Sequence, residues 1–454
     1  MIQDKSKKGL SKAFFSYSIP CILGMFLTSF ITVVDGIFIG NKIGGHGLAA
    51  VNITLPVLYL LLGISIMTGV GGVTIATHSF GAKDLTRARQ RFTLTLLLNA
   101  ALIIFAVLLL RIFLDDIVVL LRAQGEVYSY VKDYLGTMSF FYFFMMMNIV
   151  FSMFIRGERK PVVSLFFGLA GNIINIILDY LFIIKLDYGM KGAALASGIA
   201  VVIPFVLGCT YFVSGKSAYK PVKPDFIRTD IRSIIFNGFS EFIGQISICI
   251  TTYLFNYVLM KRIGIDGVAA FTIAGYVSFF QNMILTGIAQ GINTLISYSY
   301  GARDSSSIKG IMSIAVRASF AVGIVTFFVM MFSGEAIARI FAGNNSNIVE
   351  LARNGMRIFA AVFLFNGYNF VASSYFTSMG DAKTSAILSM IRSLVLISVF
   401  ILVLPMVLGD TGIWLASPLT EAATFALSLF FVLRSGAKLR FTKGQTSVDQ
   451  PELG

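Results

Sequence analysis

The chain has 454 residues, of which 56% are hydrophobic and 13% charged, with a mean hydropathy of +0.83 and a formal net charge of +14 at pH 7. A water-soluble chain of this length needs far more charge to cover its surface, so lipid is the solvent that fits this composition. The basic residues lie between apolar segments, as they do in inserted membrane proteins, so nucleic-acid binding is not expected.

Twelve apolar stretches are long enough to cross a bilayer, for which a helix needs about 20 residues. The first stretch runs to about residue 40, too far for a cleaved signal peptide, so we interpret it as a span that stays in place. The chain is therefore predicted to be an all-α integral membrane protein. The predicted spans are 13–40, 48–78, 90–114, 127–155, 161–184, 190–214, 232–262, 267–299, 308–332, 352–380, 383–409 and 412–433.

The distribution of Lys and Arg predicts the orientation of these spans. With the N-terminus in the cytoplasm, the segments facing inward hold 23 Lys and Arg residues and those facing outward hold 11. Because positive charge accumulates on the cytoplasmic side, both termini are predicted to lie there, in a multi-pass protein of the cytoplasmic (inner) membrane.

The sequence repeats with an offset of 220 residues. "FGAKD" at 80–84 matches "YGARD" at 300–304, and "GLAA" at 47–50 matches "GVAA" at 267–270. Each half has an even number of spans, so the two halves enter the membrane in the same sense. We expect two pseudo-symmetric six-helix lobes, at 1–213 and 233–434, a cytoplasmic linker at 214–232 and a cytoplasmic tail at 435–454.

Acidic residues at membrane depth are costly and are therefore functional candidates. In the first lobe Asp35, Asp179 and Asn52 are each predicted to lie roughly 7 Å below the outer rim, at 1.5 Å per residue. Asn172, Asn175 and Asp179 follow i, i+3, i+7 spacing and share one helix face. Burial and like-charge proximity would let this cluster hold a proton, and its oxygens could instead bind Na⁺ at Asp35, Asn175 and Asp179.

The second lobe lacks this cluster, because Phe255 and Val399 stand 220 residues after Asp35 and Asp179. Its membrane-depth charges are Glu241, Arg317 and Arg392, which share one predicted level, and Glu421 in the last span. We expect a buried ion pair between Glu241 and one of the arginines, with Glu421 either attracting a cationic substrate or making local hydrogen bonds. Glu241, Glu421 and Arg392 are thus candidates either for substrate contact or for a polar network of this lobe.

Several of these stretches resemble the multidrug and toxic compound extrusion (MATE) family. They are "VVDGIFIGNKIGGHGLAAVNITLP" at 33–56, the GAKD and GARD loops, and "GNIINIILDYLFI" at 171–183. The resemblance covers essentially the whole chain. It implies cation-coupled export of amphipathic, often cationic drugs or toxic compounds, with two lobes rocking between inward-facing and outward-facing states.

Within that family the chain is most similar to the DinF-like branch. The resemblance implies coupling roles for Asp35, Asn175 and Asp179, and places Ser197 where that branch often has a hydroxyl. Another branch, named for Na⁺-coupled norfloxacin efflux, has an acid in span 10, where this chain has only Asn366 and Asn369. This difference favours H⁺ over Na⁺. We expect protonation of Asp35 to bend span 1, which carries Pro20, Gly24 and Gly36.

Two other functions remain open at this point. A lipid-linked precursor flippase of the same superfamily would typically have a cationic cavity and extra spans. An intramembrane enzyme would need a nucleophile and base or metal ligands at membrane depth, and no H-E-x-x-H or G-x-S-x-G motif is present. We therefore expect a monomeric transporter of small molecules in the lipid bilayer, with no cofactor besides the coupling ion and no enzymatic activity.

Overall fold

A computed structural model of the chain describes residues 6–215, 217–342 and 345–438. The described residues form helices joined by short turns, and most of the predicted tail at 435–454 lies outside them. In chain order the helices are α1 Lys7–Lys42, α2 Gly45–Gly81, α3 Leu85–Ile112, α4 Leu114–Leu120, α5 Glu126–Met138, α6 Tyr142–Gly157, α7 Pro161–Asp179, α8 Gly189–Val213, α9 Arg228–Arg262, α10 Ile265–Gly301, α11 Ser305–Ala342, α12 Ser346–Phe359, α13 Val362–Ser378, α14 Ala382–Met390, α15 Ile397–Leu408 and α16 Asp410–Lys438.

The structure gives ten or eleven candidate membrane spans among its described residues, against the twelve predicted from the sequence. Within the described ranges, ten helical spans are long and apolar enough to cross a bilayer, and α5 with α6 passes as an eleventh, bent by 56°. The pair α12 and α13 begins 220 residues after α5 and α6, at Ser346 and Val362, so it occupies the equivalent position in the second half. The chain is an all-α membrane protein of two lobes, α1–α8 and α9–α16.

Four predicted spans are less regular than expected. Spans 127–155 and 352–380 are each broken, at 139–141 and 360–361, and neither break contains Pro or Gly. Two others continue through a π-helical turn, at Tyr180–Lys185 after α7 and at Ile391–Leu396 between α14 and α15. Such turns frequently mark functional positions in helices.

The repeated GAKD and GARD motifs build equivalent turns. Lys83 and Arg303 adopt the left-handed conformation, with φ of 66° and 56°. Asp84 and Asp304 then cap the next helices, because their Oδ1 atoms accept hydrogen bonds from Arg87 N at 3.0 Å and from Ser307 N at 3.1 Å. The motif is therefore a helix stop followed by a helix start, used once in each lobe.

The lobes pack against each other at the end of the molecule that carries these two turns. A Cβ on Gly81 would lie 2.2 Å from the Tyr298 carbonyl oxygen, and one on Gly301 would lie 2.0 Å from the His78 carbonyl oxygen. These two contacts are related by the 220-residue offset. Further along these helices, α2 packs on α9 through Gly71, and α1 packs on α10. Glycine therefore lets the helix backbones touch at this end of the molecule, which we call the closed end.

Part of the predicted linker at 214–232 packs against the first lobe. Tyr219 is fully buried, with its ring centroid 5.2 Å from that of Phe154 and 5.7 Å from that of Phe92 in the first lobe. The carboxylate of Glu158 accepts hydrogen bonds from Ser217 Oγ at 2.6 Å and from the Ala218 amide. Because α9 begins at Arg228, the connection between these contacts and the second lobe is short.

Candidate functional site

The structure brings Asp35 and Asp179 together. Asp35 lies on α1 and Asp179 is the last residue of α7, directly before the π-helical turn. Their side chains are within hydrogen-bonding contact of each other. Asp179 is 1% exposed, and both Asp35 Oδ1 and Asp179 Oδ2 are buried without a donor from any other described group. Ionised carboxylates only accept hydrogen bonds, so a bond between the two requires a proton.

Asn175 and Tyr134 complete this acidic cluster. Asn175 lies one helical turn before Asp179, is buried, and has an Nδ2 without an acceptor among the described residues. Tyr134 of α5 lies close enough to interact electrostatically with both carboxyl groups. Tyr134 is not predicted from the sequence, because its hydroxyl is one of many polar groups in an amphipathic helix.

Two other predicted members of the cluster are placed differently. Asn52 is exposed, and its Nδ2 donates to the Leu48 carbonyl oxygen of its own helix at 3.0 Å, so the structure does not bring it to Asp35. Two residues predicted at the same depth in the membrane, such as Asn52 and Asp35, can still point to different sides of their helices. Ser197 lies half-buried on α8, which contacts both α1 and α5.

The second lobe contains a polar network around Glu421. Glu421 Oε1 accepts a hydrogen bond from Arg392 Nε at 2.9 Å, and Glu421 Oε2 accepts one from Asn369 Nδ2 at 2.7 Å. The Arg392 guanidinium also lies 4.5 Å from the centre of the Phe370 ring. Arg392 belongs to the π-helical turn, so this turn aims its side chain at α16. Of the two roles predicted for Glu421, the local hydrogen-bonded one is observed.

The ion pair predicted for Glu241 is wrong. Arg392 binds Glu421 instead, and Arg317 is exposed, donating to Ser313 Oγ at 2.8 Å on its own helix. No hydrogen bond or ion pair connects Glu241 to another described residue. The three residues were predicted to share one level along the helix axes, but Arg392 and Arg317 have other partners in the structure.

A cavity of about 610 Å³ opens between the lobes. The first lobe contributes mainly apolar side chains from α2 and α6, including Ile66, Val70 and Met153. The second lobe contributes a surface rich in hydroxyl and amide groups. Four charged residues line the cavity: Arg156, Glu241, Arg392 and Glu421. The cavity can therefore take an amphipathic molecule with both apolar and polar faces.

The MatE family profile matches residues 20–181 and 242–402, more than half of the chain and one segment in each lobe. The chain belongs to the MatE family. The resemblance found in the sequence is thus confirmed, and the two matched segments agree with the duplication.

Curated relatives match this MatE-family chain along almost its whole length. The multidrug export protein MepA of Staphylococcus saprophyticus is 28% identical over 457 residues, covering 98% of this chain and 97% of its own. MepA of Staphylococcus haemolyticus is 26% identical over 431 residues, covering 94% of each chain.

Solved structures share the fold of the MatE-family chain at lower identity. A MOP superfamily transporter from Pyrococcus furiosus superposes with a TM-score of 0.89 at 22% identity, covering 95% of this chain and 97% of that one. A mutant of the Vibrio cholerae MATE transporter VcmN gives a TM-score of 0.89 at 17% identity, covering 95% and 99%. The all-α, two-lobe architecture is therefore that of known MATE transporters.

Proposed function

We propose that this protein exports amphipathic compounds, often cationic, in exchange for protons that bind at Asp35 and Asp179. The relatives matched along the whole chain are named multidrug export proteins, which supports the export of chemically varied substrates. The cavity of about 610 Å³ between the lobes is large enough for a drug-sized molecule.

The observation that carries the coupling proposal is the contact between the two carboxyl groups. Two ionised carboxylates in contact in a buried site repel each other, so the pair of Asp35 and Asp179 is stable when it holds one proton. Releasing that proton makes both groups charged and forces them apart. The cluster would therefore have one arrangement when protonated and another when deprotonated, which is what an ion-coupled transporter needs.

The same cluster suits H⁺ better than Na⁺. A sodium ion needs several oxygen ligands, and the carboxylates of Asp35 and Asp179 are the two acidic ones present. A shared proton needs only the two carboxyl groups that are already in contact.

Helix α1 is the element that would pass this change to the other lobe. It carries Asp35 near one end, and near its middle Ile22 packs on Gly287 of α10, where a Cβ would lie 2.5 Å from Ile22 Cγ1. The helix is continuous from Lys7 to Lys42 in this arrangement. We propose that a change of protonation at Asp35 bends α1 and alters its packing on α10, so that the lobes rock.

The closed end carries the GAKD and GARD turns, which the distribution of Lys and Arg assigns to the cytoplasm. In that orientation the cavity opens outward, and the arrangement corresponds to the outward-facing state of the transport cycle. Rocking would then separate α2 from α9 and α1 from α10 to admit substrate from the cytoplasm.

The test uses everted membrane vesicles that are suspended in a solution of a fluorescent drug substrate and energised in two separate ways. A pH gradient alone is expected to drive drug accumulation, while a Na⁺ gradient alone is expected to have no effect. Accumulation driven only by Na⁺ would contradict proton coupling, and no accumulation under either gradient would contradict export itself. Vesicles without the protein provide the control.

A further inference from the structure

The inter-lobe cavity contains two charged side chains that the protein itself does not neutralise. Of the four charged residues that line it, Arg392 and Glu421 bind each other at 2.9 Å. Arg156 and Glu241 remain, one on each lobe. Neither has an ion-pair partner among the residues that the structure describes.

Arg156 lies at the end of α6 and is held by neutral groups. Its Nη1 donates to Ser152 Oγ at 2.6 Å and to Ser164 Oγ at 3.4 Å. The side chain is half-buried and lines the cavity beside Met153 and Val73. Two serine hydroxyls fix the position of the guanidinium without cancelling its charge, and its other nitrogens keep their hydrogen-bonding capacity.

Glu241 faces the same cavity from α9, in the other lobe. It is half-buried and makes no hydrogen bond within the described part of the chain, although hydroxyl and amide side chains such as Gln245 and Asn282 line the cavity around it. A carboxylate in such a place is costly unless a cation or a proton joins it. The cavity therefore has an unsatisfied negative group on the second lobe and an unsatisfied positive group on the first.

A ligand that satisfies both positions must carry both charges. A simple organic cation would pair with Glu241 but would leave Arg156 unpaired and would add a like charge to the cavity. A carboxylate can form two parallel hydrogen bonds with a guanidinium, which is a strong and directional contact. The apolar side chains of Ile66, Val70 and Met153 can cover the part of the ligand between its charged ends.

We infer that this cavity binds a zwitterionic amphiphile, with its carboxylate on Arg156 and its ammonium on Glu241. This inference rests on the proposed export function for its biological meaning, but the binding itself does not depend on proton coupling. Because the ligand joins α6 of one lobe to α9 of the other, it also bridges the two bodies that are proposed to rock.

The test measures equilibrium binding to the purified full-length protein in detergent, by fluorescence anisotropy. One probe is a naphthalene-based fluorophore with a tertiary ammonium at one end and a carboxylate at the other. The matched probe is its methyl ester, which keeps only the ammonium. Wild-type protein is expected to bind the zwitterion about tenfold more tightly than the ester, because a charge-assisted contact is lost in the ester.

Variants assign this preference to residues. Arg156→Gln should weaken binding of the zwitterion about tenfold and leave the ester nearly unchanged, whereas Arg156→Lys should keep part of the preference because its charge remains. Glu241→Gln should weaken both probes. Arg317→Gln is the control, since Arg317 is exposed and bonds only within its own helix, and it should change neither affinity.

Two results would overturn the inference: equal affinity of wild-type protein for both probes, or an unchanged preference in Arg156→Gln. A failure of the proposed function would look different. Vesicles would then show no gradient-driven export, but the purified protein would still prefer the zwitterion, and that preference would still depend on Arg156.

Discussion

Glu421 and Arg392 are a charged pair in the interior of the second lobe, with side-chain exposures of 12% and 21%. Their position suggests mutual neutralisation, since each would otherwise be a lone charge at membrane depth. Asn369 adds a second hydrogen bond to the carboxylate. The pair therefore supports the wall of the cavity in which Glu241 is left without a partner.

Removing one member of this pair should destabilise the protein more than removing both. Arg392→Met leaves Glu421 as an unpaired buried charge, and we expect a loss of about 3 kcal/mol in the free energy of unfolding. The double variant Arg392→Met with Glu421→Gln should recover part of that loss. Thermal unfolding in detergent measures both, with the exposed Arg317→Met as control. A double variant less stable than the single one would contradict this account.

The acidic cluster of the first lobe shows what residue-level reasoning can and cannot provide. Counting residues from the span ends put Asp35 and Asp179 at one depth, and the structure has their carboxyl groups in contact. The same counting put Asn52 beside them and paired Glu241 with an arginine, and neither contact exists. Depth follows from helical rise, but direction around the helix axis depends on packing and on π-helical turns, which the sequence pattern does not reveal.

At the scale of helices, close backbone contact holds the closed end together. Gly81 and Gly301 let α2 and α10 touch through the carbonyl oxygens of Tyr298 and His78. A further link is the hydrogen bond between His78 Nε2 and the Ser378 carbonyl oxygen at 2.7 Å. Any side chain larger than hydrogen at these glycines would have to displace backbone atoms, which cannot rotate aside.

A methyl group at this contact should force the closed end apart. In Gly301→Ala the new Cβ would lie 2.0 Å from the His78 carbonyl oxygen, so we expect the equilibrium to shift toward the arrangement open at this end. Cys21 reports the change, because it is buried on α1 beside Ile22, which packs on Gly287. In a Cys209→Ser, Cys249→Ser background, labelling of Cys21 by a hydrophilic maleimide should become several-fold faster.

The matched control for this substitution is Gly275→Ala. Gly275 lies on the same helix, and a Cβ there would meet nothing within 4 Å. It should leave the labelling rate of Cys21 unchanged. Equal rates in Gly301→Ala and Gly275→Ala would show that the glycine contact does not limit opening.

The regular elements were largely predictable and their interruptions were not. Apolar length located the spans, and the 220-residue offset anticipated the equivalence of α5–α6 with α12–α13. The breaks at 139–141 and 360–361 contain Ser, Phe and Ala, which carry no strong turn signal. The GAKD and GARD turns were recognised as a repeat, but their roles as left-handed stops and helix caps emerged only from the backbone.

At the scale of the whole molecule, one buried ion pair joins the lobes at the closed end. Arg91 of α3 and Asp230 of α9 form two hydrogen bonds, Nη2 to Oδ1 at 2.9 Å and Nε to Oδ2 at 3.3 Å. Arg91 Nη1 also binds Ser79 Oγ at 2.8 Å. In the proposed transport cycle this end opens, and the pair would then have to separate, so we expect it to contribute to the energy difference between the two proposed states.

Neutralising Asp230 should therefore favour opening of the closed end. Asp230→Asn removes the charge but keeps the shape, and we expect faster maleimide labelling of Cys21 by several-fold. Asp225→Asn is the control, because Asp225 is exposed in the same connecting region. A labelling rate in Asp230→Asn equal to that of Asp225→Asn would show that the ion pair does not hold the lobes together.

The most direct test of proton coupling is drug export by purified protein in proteoliposomes, driven by a pH gradient. Wild type should transport, while Asp35→Asn and Asp179→Asn should each lose gradient-driven export by at least tenfold, because neither can share a proton between two carboxyl groups. Asp116→Asn, in the short helix α4, should transport like wild type. Full pH-driven export by either Asp35→Asn or Asp179→Asn would contradict the account.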